Sequence, residues 1–190
     1  MTLPLINDQR FLDNNYSKNH LPKAEYDNCT FKSCNFSDSY ISNIIFIECT
    51  FIDCNFSMVK SKNTVFNNVS FDNCKLLGFP FHECNALLMA FQFKTCQLNL
   101  ASFFNLKIRE TTFDNCRLEK TDFSNSDLTA SIFRNCDLSH TIFDNSTIEK
   151  VDFRTSRNVF INPENNKIKQ ASFSKENALG LLKYFDIKIT

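Results

Sequence analysis

Glycine is nearly missing from this 190-residue chain, which has two, Gly78 and Gly180. Two glycines cannot serve a Gly-turned sandwich or a Gly-rich phosphate loop. Corners must be made instead by Asn, Asp and Ser, whose short polar side chains tolerate turn geometry. Tryptophan is absent, and no apolar run reaches the length of a membrane span. Net charge is lacking too: Lys+Arg and Asp+Glu are both 21. No overall field therefore draws the chain to nucleic acid, an anionic membrane or a basic partner. The start, MTLPLINDQRFLDNN, has neither the basic residues nor the apolar run of a signal peptide, so a cytoplasmic location is expected. The nine cysteines contain no C-x2-C pair. That spacing argues against zinc, and a cytoplasmic setting argues against disulfides, so neither metal nor cofactor is expected.

What the chain does have is phenylalanine, 22 copies, at a fixed interval. From Thr111 to Thr155 nine consecutive blocks of five carry a large apolar third residue: Phe113, Leu118, Phe123, Leu128, Phe133, Leu138, Phe143, Ile148 and Phe153. The first residue of each block is Cys, Thr, Ser or Val, and the rest are mostly polar. This is a repeat protein. The template continues backwards through Ile108, Phe103, Leu98 and Phe93, then shifts phase by two residues and runs from Phe81 to Phe31. A period of five fits neither helix nor simple strand. It fits a short extended piece, whose first and third residues point the same way, followed by a corner. Four such sides close a square coil of about 20 residues, so residues 20 apart should stack. Cys34, Cys54, Cys74, Cys96, Cys116 and Cys136 form such a column, with one two-residue step near Cys84. They are expected as compact buried fillers. Roughly seven coils stacked at about 4.8 Å give a rod of about 35 Å.

Three segments are expected: a lead-in over 1–20, the repeat over 21–155, and a C-terminal cap over 156–190. In the last, Ser174 reads as the N-cap of a helix over about Lys175–Tyr184, with Glu176 in its first turn. The open end of a solenoid needs a cover, because its unpaired edge would recruit other chains. The helix is expected both to cap the stack and to join two copies into a C2 dimer through Leu179, Leu181, Leu182, Phe185, Ile187 and Ile189. No enzyme is expected. His20, His82 and His140 fall on separate sides without partnered ligands, and a Phe-filled solenoid offers no cleft.

Blocks such as TDFSN, SDLTA and CDLSH resemble the A-(D/N)-L-x-x template of pentapeptide-repeat proteins. The resemblance implies an all-β solenoid, a right-handed quadrilateral β-helix, with a short C-terminal α-helix. The tail from Ile161-Asn162-Pro163 through Ser174–Leu182 is similar to that of the Qnr-type quinolone-resistance proteins and the microcin immunity protein. That similarity implies a DNA-mimicking, homodimeric partner of a type II topoisomerase, DNA gyrase or topoisomerase IV, without direct contact to nucleic acid or membrane. The implied protection is from quinolones or a gyrase-targeting toxin. The side built on Phe103, Phe123 and Phe143 is the expected binding face: Asp122, Asp144, Ser124, Asn105, Asn125 and Asn145 point outward without Lys or Arg. Lys60 and Lys62 interrupt that side higher up. The alternative is a scaffold for an unrelated protein.

Overall fold

The computed structural model describes residues 3–185, 187 and 188. The chain is a parallel β-solenoid with one short C-terminal helix. Its wall has four sides, numbered here by the inward-facing residue of the second coil: side 1 (Tyr26), side 2 (Phe31), side 3 (Phe36) and side 4 (Ile41).

Side 1 contains β1 (Leu5–Asn7), β3 (Glu25–Asp27), β5 (Ile45–Ile47) and β7 (Val65–Asn67), paired in parallel with a register of 20. Side 2 stacks β2 (Arg10–Leu12), β4 (Thr30–Lys32), β6 (Thr50–Ile52), β8 (Val69–Asp72), β9 (Phe91–Lys94), β10 (Thr112–Asp114) and β11 (Ile132–Arg134). Sides 3 and 4 are held by single bridge pairs such as Asn35↔Asn55 and Ser102↔Asp122. The register steps from 20 to 22 between Asn85 and Phe91. There the extra residues leave the wall, so that Leu87 and Leu88 project outward while Met89 and Phe91 are buried.

The interior is what the period dictates. On side 2 the rings of Phe11, Phe31, Phe51, Phe71, Phe93, Phe113, Phe133, Phe153 and Phe173 stack, centroids 4.6–5.4 Å apart. Neighbouring columns meet edge to face, as at Phe103–Phe113, 6.0 Å and 88°. Each such pair adds about 0.5–1.5 kcal/mol beyond area burial.

All nine cysteines are free and buried. Most do more than fill space. The Cys34 thiol donates to the Phe11 carbonyl, Cys54 to Phe31, Cys74 to Phe51 and Cys136 to Phe113, each 23 residues back. Hydroxyls at the same position do likewise: Thr64 to Ile41, Thr121 to Leu98, Ser146 to Phe123 and Ser156 to Phe133. The buried thiols and hydroxyls are thereby satisfied inside the Phe core, on carbonyls of which those of Ile41, Leu98 and Phe123 also accept the N–H of Ile44, Ala101 and Ser126. Burial pushes the Cys49 and Cys84 thiols up to about 12. Hydrogen bonds to the thiols above and below, together with burial, raise Cys74 and Cys116 as well.

The corners answer the shortage of glycine. The last residue of almost every block has φ between +49° and +62°. Such a conformation costs an L-residue roughly 1–2 kcal/mol, least for Asn and Asp. Many of these corners carry Asn or Asp, and their amides form ladders, as from Asn28 to Asp8 and Asn73 to Asp53, both 2.7 Å. Met58, Leu100, Lys120, Ala130, His140 and Lys150 adopt the same φ without that chemistry. Each of their corners is closed by a backbone bond across the turn, for example Val59 N–H to the Phe56 carbonyl and Thr121 N–H to the Leu118 carbonyl. That closing bond suits almost any side chain.

The wall extends past both ends of the expected 21–155 repeat. β1 and β2 lie within the first twenty residues and already pair with the next coil. At the other end Thr147↔Lys167 and Asp152↔Ser172 keep the 20-residue register, so the coil continues where the pentapeptide spelling is lost. The ladder of side 2 from Arg10 to Ser172 has eight steps, roughly 38 Å at about 4.8 Å each.

The stack ends under α1 (Lys175–Leu182), followed by a 3-10 turn over Lys183–Phe185 in place of a last α-helical turn. Ser174 caps it, Oγ accepting the Asn177 N–H at 3.1 Å. Asn166 and Asn177 take over the role of the inward hydroxyls. Asn166 donates to the Phe143 carbonyl; Asn177 donates to the carbonyls of Phe153 and Ser156. Gly180 is required by contact: a Cβ there would lie 2.0 Å from the Val159 carbonyl oxygen. No helix among the described residues is long and apolar enough to cross a membrane.

Candidate protein-binding face

Side 4 presents its outward residues as three parallel columns. Asp122 and Ser124 are half-buried, whereas Asp144, Asn105, Asn125 and Asn145 are exposed. The three asparagines are corner residues with φ of 58°, 58° and 52°, so their amides line one edge of the side. Asp122 accepts the Ser124 N–H at 2.9 Å, and Asp144 accepts amide protons from Asn145 and Asn165, both at 3.3 Å. Among the described residues neither carboxylate is in an ion pair. The six expected residues thus share one surface.

Five carboxylates on the other sides are neutralised. The ion pairs among described residues are Lys94–Asp72, Arg134–Asp114 and Arg154–Asp152 on side 2, Arg109–Asp127 on side 1, and Arg157–Asp137 on side 3. Burial opposes ionisation of Asp137, but donors from Asn158, Ser139 and Arg157 outweigh it and hold the carboxyl below its usual range. Asp127 is lowered in the same way, burial being outweighed by Arg109 and Thr129.

Two features escaped the sequence reading. Glu164 extends the acidic half of side 4 by one coil, exposed beyond the point where the block spelling fails. The first four coils of side 1 carry Asp8, Glu25, Asp27 and Glu48 and no cation, a strip visible only once β1 is known to belong to the wall.

The expected joint residues divide. Leu179, Leu182, Phe185 and Ile187 are exposed at the end of the rod, while Leu181 is half-buried against the core. Ile189 lies outside the described residues. A groove of about 700 Å³ runs between α1 and the last coil, lined in part by Val159, Phe160, Leu179, Leu182 and Ile187. Lys183 Nζ sits 4.4 Å from the centre of the Phe160 ring on its rim. His82, on a 3-10 turn over Phe81–Glu83, is exposed, and His20 lies edge-on to Tyr40 at 5.5 Å. Among described residues no three His, Cys, Asp or Glu side chains converge as metal ligands.

In fold the chain is similar to two trypsin-treated forms of QnrB1, a plasmid-mediated fluoroquinolone resistance protein. One is 14% identical with a TM-score of 0.64, covering 98% of this chain and 100% of that one. The other is 15% identical with a TM-score of 0.65, covering 97% and 99%. HetL, a pentapeptide repeat protein involved in heterocyst differentiation regulation from the cyanobacterium Nostoc sp. strain PCC 7120, also matches. It is 12% identical with a TM-score of 0.36, covering 89% and 86%. No curated protein matches in sequence. The family model described as pentapeptide repeat region matches residues 24–103, and that described as pentapeptide repeats (8 copies) matches 96–135 and 121–157. Together these span most of the wall, and the chain belongs to the pentapeptide-repeat proteins.

Proposed function

We propose that this protein is a non-catalytic, cytoplasmic binding rod that occupies the duplex-binding surface of a type II topoisomerase, DNA gyrase or topoisomerase IV. In doing so it protects the enzyme from quinolones or from a gyrase-directed toxin. The observation that carries this reading is the strip of unpaired carboxylates, Asp122, Asp144 and Glu164, on the half of side 4 nearest α1. A duplex offers about one negative charge per 1.7 Å of axis. Three carboxylates over three coils are sparse by that measure. A C2 joint through Leu179, Leu182, Phe185 and Ile187, assisted by Leu181 and Ile189, doubles the strip to six about the dimer axis. The asparagine edge (Asn105, Asn125, Asn145), with Ser124, adds neutral hydrogen-bonding groups beside the charges. The end-to-end likeness in fold to a fluoroquinolone resistance protein points the same way. The test is gyrase supercoiling in the presence of a fluoroquinolone. Added protein is expected to restore supercoiling, and absence of both protection and binding overturns the proposal.

A second reading, a scaffold for an unrelated protein, is favoured by Leu87 and Leu88. These are 70% and 69% exposed on side 1, away from the acidic half of side 4. Capture of a specific partner other than a topoisomerase, lost in Leu88→Asp, would favour it.

A further inference from the structure

Side 4 is charged at both ends, with opposite sign. Its N-terminal coils carry Lys23, Lys60 and Lys62, with His20 and His82, against the single acid Glu83; its C-terminal coils carry Asp122, Asp144 and Glu164 and no cation. Among the described residues none of these lysines or acids is in an ion pair, although each of the other sides has at least one. Bare apolar groups stand among the charges: Phe104, 44% exposed, between the two stretches, Tyr40, 59%, between Lys23 and Lys60, and Ile142, 47%, between Asp122 and Glu164.

We propose that side 4 is a self-complementary surface whose occupant is side 4 of a second copy, laid antiparallel. This goes beyond the topoisomerase reading. A two-fold axis lying across the side returns each column to itself in reverse order. Set between the levels of Pro80 and Ser102, which are bridged neighbours, that axis brings together residues equally far from it. In the first outward column Lys60 then faces Asp122 of the second copy, and Tyr40 faces its Ile142, each contact occurring twice. In the next column His82 faces Phe104, and at the ends Lys23 approaches Glu164. A shift of one coil exchanges the Lys60–Asp122 match for Lys62–Asp144 but separates Tyr40 from Ile142, so the apolar pair, not the charge count, sets the register. The adjoining corner sets Asp38 opposite His140, beside Met58, Leu100, Lys18 and Lys120.

The surface is small. Eight levels at about 4.8 Å make a side roughly 34 Å long, and three outward residues make it roughly 10 Å wide. Some 350 Å² per partner is under half of the roughly 800 Å² of a standard interface. Lateral pairing is therefore weak, concentration-dependent and reduced by salt, since most of its charges are exposed. It also covers Asp122, so rods paired this way cannot offer that carboxylate to another partner.

The experiment is sedimentation of the full chain at rising concentration, in about 50 mM and 500 mM salt. A joint through α1 is apolar and contributes a salt-insensitive step; lateral pairing contributes a second step, at least tenfold weaker in high salt. Lys60→Asp and Asp122→Lys should each abolish the second step, by setting like charges opposite one another. An equimolar mixture of the two variants should restore it. The carboxylate introduced in one chain then meets the ammonium introduced in the other, while the native Asp122 of the first meets the native Lys60 of the second. Asp122→Asn, which keeps the acceptor for the Ser124 N–H, should weaken the step without disturbing the fold. A salt-sensitive step unmoved by both reversals, or no such step at any concentration reached, overturns the proposal. Neither result bears on gyrase, because no enzyme is present.

Discussion

The two halves of the rod, before and after the Leu87–Leu88 bulge, solve one packing problem with different chemistry. The N-terminal half puts aromatic rings on sides 1, 2 and 3, among them Tyr26, Phe46 and Phe66, Phe31 and Phe51, and Phe36 and Phe56. It holds six of the nine cysteines and forms regular strands on two sides. The C-terminal half keeps rings on sides 2 and 4 only, fills sides 1 and 3 with Ile108, Leu128, Leu118 and Leu138, and seats hydroxyls where thiols stood. Four of its carboxylates, Asp114, Asp127, Asp137 and Asp152, are tied to arginines. The lesson is that the fold demands a buried residue at the first position and is indifferent to its chemistry: thiols and hydroxyls alternate there with Ala24, Ile44, Val69 and Ala101. Function is then free to be written in the outward residues, where the halves differ in sign on side 4.

The comparison can be broken most severely in the aromatic half. The Phe71 ring contacts those of Phe51, Phe56, Phe66, Phe81, Phe91 and Phe93. Phe71→Ala should cost about 3–5 kcal/mol in denaturant unfolding. Leu118→Ala, one level of a thinner column, should stay nearer 2–3 kcal/mol. Overpacking acts in the other half: Cys116→Phe, between Cys96 and Cys136, is expected to cost about 1–3 kcal/mol or more.

Acid and base should separate the halves. Thiols held above their ordinary value near 9 stay neutral in the fold but ionise in the unfolded chain, so stability is lost as pH rises from 9 towards 12. Each protected thiol contributes at most about 1.4 kcal/mol per pH unit, and the cysteine-rich N-terminal half should lose hydrogen-exchange protection first. The carboxyls of Asp127, Asp137 and Asp152 are held below 3.8, so their support is present above that value and lost as pH falls through it. The carboxylates are half-buried but their arginine partners are exposed, so this loss is small, about 0.2–1 kcal/mol each, and confined to the C-terminal half.

At the joint, Gly180→Ala should lift α1 off the Val159 carbonyl and halve the mass by light scattering, with the coils still folded. Leu182→Asp should split the same joint, since Leu182 is exposed on α1; an unchanged mass would refute that placement. The smallest effect concerns corners. Asn115→Ala, where no backbone bond closes the turn, should cost about 1 kcal/mol, and Lys120→Ala, where one does, close to nothing.

The wall was legible because its period is written in large side chains: a ring every fifth residue and a thiol every twentieth leave one way to coil. The first coil was legible as well, since Phe11, Tyr16 and Leu21 stay on the five-residue ladder. The C-terminal end was not: residues 167–172 pair like the rest, but Asn158 and Pro163 stand where large apolar residues are due and Asn166 and Asn177 replace hydroxyls with longer donors, so the spelling fails although the register holds. The bulge was placed but not shaped, since nothing in Ala86–Ala90 tells which leucines turn out. Half of the candidate face was also hidden, because a carboxylate is unpaired only with respect to its neighbours in the stack. Asp114 and Asp122 look alike in sequence, yet Arg134 lies 3.7 Å from the first and no cation pairs with the second.

Competition between this protein and a linear DNA duplex for purified gyrase is the most direct measurement. The native chain is expected to displace the duplex, and the triple variant Asp122→Asn, Asp144→Asn, Glu164→Gln to lose at least tenfold in affinity while melting normally. Binding that leaves the duplex in place, or is untouched by the three neutralisations, would contradict duplex mimicry through side 4.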